Sequence, residues 1–243
     1  MAFYPFVQKL HEEVIHAMRD LAVCVEEWDP AQTDNATFAA FRFCTACRHL
    51  MGDLLQLGEH DLHRCLKTFV HSNPHEPGVP ASPLVATWAR SEPLDGRPSD
   101  PQFQDAHVIT ENTVWSSLLG EYDGTTRWPN LKFFCSNDLC WPGERFRCSR
   151  GKWRDFYRST LVFPIHVAYD LRPEGRRTLG FLAFDSPKEN AFPRMPDVFR
   201  HRDNLTEYHN AATGTPIYQL GAVIADCLGM FFHPAWKAAE NGS

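Results

Sequence analysis

The sequence predicts an α+β protein: a largely antiparallel sheet of five strands, two helices before it, one helix inserted in it and one after it. Three observations lead there. Both ends of the chain carry apolar residues at helical spacing. The middle breaks into short apolar runs separated by loops rich in Pro, Gly, Asn and Asp. The last two runs are joined by "DLRPEG", too short for the crossover that parallel strands require.

The first helix is read from Phe6, Leu10, Val14, Met18, Leu21 and Val25, a single apolar stripe that stops near "WDPAQTDN", where Pro30 breaks it. Thr33, Asp34 or Asn35 can cap a second helix with Phe38, Phe41, Cys44 or Ala46, Leu50 and Leu54 facing inward, closed by Gly58. These helices make an N-terminal extension over 1–57. "LHRCLKTFV" and "LVATWARS" are the first two strands, and "TENTVWSSLLGEY" is a short helix with Thr110 as its cap. "LKFFCS", "STLVFPIHVAY" and "RRTLGFLAFDS" complete the sheet. The last two show little alternation, which predicts that both of their faces are covered. An irregular stretch follows, then the closing helix "PIYQLGAVIADCLGMFF" with Pro216 in its first turn, and a flexible tail over 234–243.

Composition narrows the function. At 243 residues, 43% apolar and 13% aromatic, the chain can bury a substantial core. No run reaches the roughly 18 to 20 apolar residues that span a bilayer, and the N-terminus is no secretory signal, so a cytoplasmic protein is expected. Eight cysteines in that setting read as reduced core residues or ligands. A net charge of −6 argues against general nucleic-acid binding. Within Glu144–Arg158, however, six basic residues face two acidic ones, a net of +4, which leaves −10 for the rest. Such a patch can recruit an anionic small molecule or an acidic partner.

"YRSTLVFPIHV…RRTLGFLAFDSP…NAF" resembles the core signature of GAF domains, in which a strand ending in a Pro-hydrophobic pair precedes a Gly-aliphatic strand ending in Asp-Ser. The resemblance covers residues 58–233. It implies a PAS-like fold with a central antiparallel sheet of five or six strands, helices on one side and a small-molecule pocket on the other. It also implies homodimerisation through the N- and C-terminal helices. No kinase, cyclase, phosphodiesterase or DNA-binding segment follows Phe232, so signalling through a separate effector protein is expected.

In a GAF arrangement the segment before the penultimate strand folds over the pocket. Here it offers Trp153 and Tyr157 for stacking, Arg147 and Arg150 for gripping an anion, and Asn137 and Asp138 for reading a polar edge. Arg90, His107, Asn112 and Asp185 are the other candidate ligand contacts, and the ligand expected is nucleotide-like or another small anionic or aromatic molecule. No metal is expected. Cys44-Thr-Ala-Cys47 with His49 is half of a zinc pattern, and it reads better as core thiols, as does His60, His63 and Cys65.

Two alternatives come from a different class. One is a ligand-free GAF scaffold for protein interaction. The other is the free methionine sulfoxide reductase branch, which this chain resembles in carrying Cys135, Cys140 and Cys148 before the penultimate strand. Basic neighbours would lower a thiol pKa there. That branch has acidic residues where this chain has Thr160 and Ala183, and only Asp185 remains. No P-loop, nucleophile elbow, metalloprotease helix or GxGxxG occurs.

Overall fold

The computed structural model describes residues 10–26, 33–58, 60–70, 84–91, 107–121, 131–140, 146–149, 153–155, 157–167 and 178–241. A π-helical turn, Leu10–Ile15, leads into α1 (His16–Glu26), and α2 spans Thr33–Leu55. The strands are β1 (His63–Val70), β2 (Leu84–Arg90), β3 (His107–Val108), β4 (Phe134–Ser136), β5 (Ser159–His166) and β6 (Thr178–Ser186). α3 (Thr113–Leu119) sits between β3 and β4, and α4 (Leu205–Thr213) and α5 (Pro216–Asn241) close the chain. The strands lie in the order β3-β2-β1-β6-β5-β4, and every neighbouring pair is antiparallel.

Nearly every residue of β5 and β6 is buried, so both faces of the sheet are covered, as their unbroken apolar runs predict. One face carries α1, α2 and α5. Phe163 of β5 stacks towards the aromatic group of Phe133, Tyr208 and Tyr218 there. α5 lies close on β5 because a Cβ on Gly221 would run into the Phe163 ring, and one on Gly229 into the His166 carbonyl oxygen. The other face of the sheet carries α3, whose Trp115 packs on Phe181 at 4.8 Å.

Several details differ from the sequence reading. The N-terminal helices share the core of the sheet: Val14 of the π-helical turn, Met18 and Leu21 of α1 and Phe43 and Leu50 of α2 all belong to it. α2 buries Cys44, Ala46 and Leu50 as expected, but its first turns face inward with other residues. Ala39, Ala40, Phe43, Cys44 and Cys47 are buried, whereas Phe38 is 63% exposed and Phe41 38%. Small residues allow the helix to approach the strands, and that approach outweighs the larger apolar stripe. α2 also ends before Gly58, at a Schellman turn. Gln56 takes the left-handed position (φ 56°), Leu57 N–H donates to the Gly52 carbonyl at 2.9 Å, and Gln56 N–H to the Asp53 carbonyl at 3.3 Å.

The cap of α3 is Asn112 rather than Thr110, its side chain accepting from the Val114 N–H at 3.0 Å. β3 and α4 were not read from the sequence. α4 is anchored by Tyr208, whose hydroxyl accepts from the Cys135 N–H at 2.8 Å. α5 continues to Asn241, through most of the stretch read as a flexible tail. Phe6 and Arg150 lie outside the described residues.

Candidate functional site

Residues directly opposite one another in an antiparallel pair share a face of the sheet. The face turned away from α1, α2 and α5 therefore presents Lys67 of β1, Phe181, Ala183 and Asp185 of β6, and Thr160 and Val162 of β5. α3 and the 146–149 segment close over it. Between them lies a cavity of about 50 Å³. Its floor is Lys67, Thr160, Val162, Ala183 and Asp185. His107, Asn112, Val114 and Trp115 form one wall, and Leu139, Phe146, Cys148 and Tyr157 the cover.

The polar groups are ordered along the floor. At one end Lys67, 8% exposed, donates from Nζ to Thr87 Oγ1 at 2.7 Å and sits 5.5 Å from the Trp115 ring centroid. At the other end Thr160 donates to Asp185 Oδ1 at 2.5 Å. Lys67 is opposite Phe181 and Asp185 is opposite His63, four positions along β6, so the two lie roughly 13 Å apart along the strand. The Trp115 side chain is 4% exposed, and its Nε1–H has no hydrogen-bond partner among the described residues. A buried donor left unsatisfied costs about 1–3 kcal/mol.

The cover is pinned by its backbone. Thr113 N–H donates to the Arg147 carbonyl at 3.0 Å, and Arg147 N–H donates to Thr113 Oγ1 at 2.9 Å. His107 Nδ1 and Ser149 Oγ are hydrogen-bonded at 2.7 Å, and Asn112 Nδ2–H donates to Cys148 Sγ at 3.6 Å. Phe146 lines the cavity and Trp153 backs it edge-on at 4.7 Å, with the Arg154 guanidinium 4.5 Å from the Trp153 centroid.

The expected ligand residues thus divide. His107, Asn112, Tyr157 and Asp185 line the cavity. Arg90, Asn137, Asp138, Arg147 and Trp153 do not. Asn137 fastens β4 to the 190–197 loop, donating to the Phe192 and Met195 carbonyls and accepting from the Phe192 N–H. Asp138 accepts from the Cys140 N–H at 3.0 Å and from Arg158 at 3.4 Å. The residues that sequence reasoning missed are Lys67 and Trp115. A lysine in the middle of a strand with both faces covered was the available signal for the first.

The three cysteines of the reductase pattern are not brought together. Cys148 lines the cavity. Cys135 is opposite Leu161 and beside Tyr208, on the other face of the sheet, where burial pushes its thiol well above its ordinary value. Thr160 and Ala183, the two departures from that branch, both lie on the cavity floor. Among the described residues no group of three or more His, Cys, Asp or Glu side chains is placed to hold a metal ion.

A six-stranded antiparallel sheet with its main helices on one face and a cavity on the other is the layout that the sequence resemblance implied. The fold is GAF-like. No family model matches the chain, and no curated protein matches it either. Among solved structures it is similar to the chromophore-binding domain of an unusual bacteriophytochrome from R. palustris, at 9% identity and a TM-score of 0.40, over 95% of this chain and 61% of that one. It is also similar to a structure of a GAF domain, at 10% identity and a TM-score of 0.34, over 86% of this chain and 89% of that one. No helix among the described residues is long and apolar enough to cross a membrane.

Proposed function

We propose that this GAF-like protein is a cytoplasmic small-molecule sensor that acts on a separate effector protein. One observation supports the reading: a small cavity on the sheet face away from α2 and α5, floored by Lys67, Thr160 and Asp185 and walled by Asn112 and Trp115. A ligand that contacts the sheet floor and the cover above it better in one arrangement than in another shifts the equilibrium towards the first. Thermal shift against a metabolite collection, with native mass spectrometry of the purified protein, tests this. A bound small molecule, or a melting temperature that rises saturably with one compound, is the expected result. Protein that carries nothing and responds to nothing favours the scaffold reading instead.

The sensor works as a homodimer. Val23 on α1, Phe38 and Phe41 on α2, and Val223 and Met230 on α5 are exposed on three helices that pack on one another. Sedimentation should give twice the chain mass, and Phe38→Asp with Val223→Asp should bring it down to the monomer. A wild-type monomer at every concentration rules out the dimer.

A further inference from the structure

We infer that the cavity opens by releasing its cover and the first turn of α3 as one unit, with Thr113 as the latch between them. This deepens the reading of the cavity as a ligand site, on which its purpose rests, by naming the gate. The tie runs residue by residue. Arg147, Cys148 and Ser149, consecutive in the cover, are bonded to Thr113, Asn112 and His107 in turn. Thr113 carries two bonds of this tie. Its N–H donates to the Arg147 carbonyl at 3.0 Å, and its hydroxyl accepts from the Arg147 N–H at 2.9 Å.

The geometry of a helix start couples the two pieces. The first N–H groups of a helix have no acceptor within it, and buried ones find theirs outside. In α3 the Asn112 side chain takes the Val114 N–H at 3.0 Å, and the cover takes that of Thr113. The same Asn112 side chain donates through Nδ2 to Cys148 Sγ at 3.6 Å. Asn112 and Thr113 are both buried. Lifting the cover thus removes part of the cap of α3, and unwinding the first turn of α3 removes the groups that hold the cover. Each piece loses bonds when the other moves, so the two form one cooperative unit.

Packing sets what moves and what stays. Asn112 and Val114 stand in one wall of the cavity and Phe146 and Cys148 in its cover, so their joint release unroofs one side. The floor residues Thr160, Val162, Ala183 and Asp185 stay, because β5 and β6 pair along the whole of β5. The opening stops at Trp115, whose ring packs on Phe181 at 4.8 Å, and at Ser117, whose carbonyl accepts from the Leu131 N–H at 2.9 Å.

Hydrogen exchange of the full chain, read residue by residue, tests the gate together with iodoacetamide labelling of Cys148 followed by peptide mapping. In the wild type the amides of Thr113, Val114 and Arg147 should share one opening equilibrium and one denaturant dependence, less protected than Val162 in β5. Thr113→Val keeps the shape and removes the hydroxyl. It should speed exchange at Val114, whose own acceptor is untouched, and labelling of Cys148, each by about tenfold, with Leu131 and Val162 unchanged. Thr113→Ser keeps the hydroxyl, and both rates should stay near those of the wild type. Separate opening equilibria for Arg147 and Val114 in the wild type overturn the inference, however the variants fold. Faster labelling of Cys148 in Thr113→Val with exchange at Val114 unchanged also overturns it, because the cover then lifts alone. No change in either rate does the same. The measurement involves no ligand, so a failed gate leaves the sensor reading to the metabolite screen, and an empty screen leaves the gate standing.

Discussion

Raising the pH from 8 to 10 is expected to lower the stability of the protein by about 4 kcal/mol, through three thiols that the fold keeps from ionising. Burial pushes Cys44 well above its ordinary 9.0, pushes Cys47 up to about 12, and raises Cys135 well above 9.0. The unfolded chain releases these protons from about pH 9 upward, whereas the folded chain retains them. Each thiol's contribution is therefore fully present below pH 9 and is lost as the pH rises towards the folded value. One buried thiol contributes a slope of about 1.4 kcal/mol per pH unit above 9, so three cost about 4 kcal/mol by pH 10. That is a large fraction of the ordinary 5–15 kcal/mol of a folded domain.

The Tyr208 hydroxyl, also raised by burial, adds to the loss above pH 10. Urea unfolding at pH 8, 9 and 10 measures the slope directly, and Cys135→Ala should reduce it by about a third. A stability that stays level from pH 8 to 10 would show that the thiols ionise in the folded protein, and hence that water reaches them.

The parts of this fold that were legible in the sequence are those where burial on both sides leaves an unbroken apolar run. β5 and β6 are the clearest cases, and their close antiparallel pairing was forced by a link too short for a crossover. β3 is two residues long and has no period to read. α4, "LTEYHNAAT", buries only Tyr208 and Ala212, so its apolar pattern is too thin to separate it from loop. On α2 the placing of Phe38 and Phe41 was misread because Ala39, Ala40 and Cys47 gain contact by proximity, which periodicity weighted towards large residues undervalues.

The site was half legible, for a similar reason. The basic segment Glu144–Arg158 drew attention, and its aromatic residues Phe146 and Tyr157 do cover the cavity. Two of its arginines serve elsewhere: Arg154 stacks on Trp153, and Arg158 pairs with Glu189 and Asp138. Among the described residues that line the cavity, the lysine or arginine charge is that of Lys67, within a strand. A local excess of charge in the sequence marks a surface, and a single charge within an apolar strand marks an interior site.

That distinction applies with most force to Arg64, three residues before Lys67 and on the opposite face of β1. It is 2% exposed, and its guanidinium donates to the Cys44 carbonyl and stacks 4.6 Å from the Phe184 centroid. Its Nε and second terminal nitrogen have no partner, and no carboxylate pairs with it among the described residues. Desolvation by burial brings it well below its ordinary value, to about 10. A base depressed in the folded state opposes folding while it is charged, fully so below pH 10, and the penalty is relieved as the pH rises from there towards its ordinary value. A difference of that size amounts to about 3 kcal/mol at neutral pH.

Arg64→Met keeps the length and the apolar contact with Phe184 and removes the charge, so it should stabilise the protein by about 2 kcal/mol once the lost hydrogen bond and ring contact are subtracted. Arg64→Ala removes the same charge but leaves an empty volume between β1 and α2. It should fall about 2–4 kcal/mol below Arg64→Met. The gap between the two variants measures packing alone, and the gain of Arg64→Met over wild type measures the buried charge. If Arg64→Met is instead less stable than wild type at pH 7, the guanidinium has an anionic partner in the folded protein. The Cys47 thiol, whose charged form the Arg64 guanidinium favours, is then the first group to test for ionisation by its thiolate absorbance.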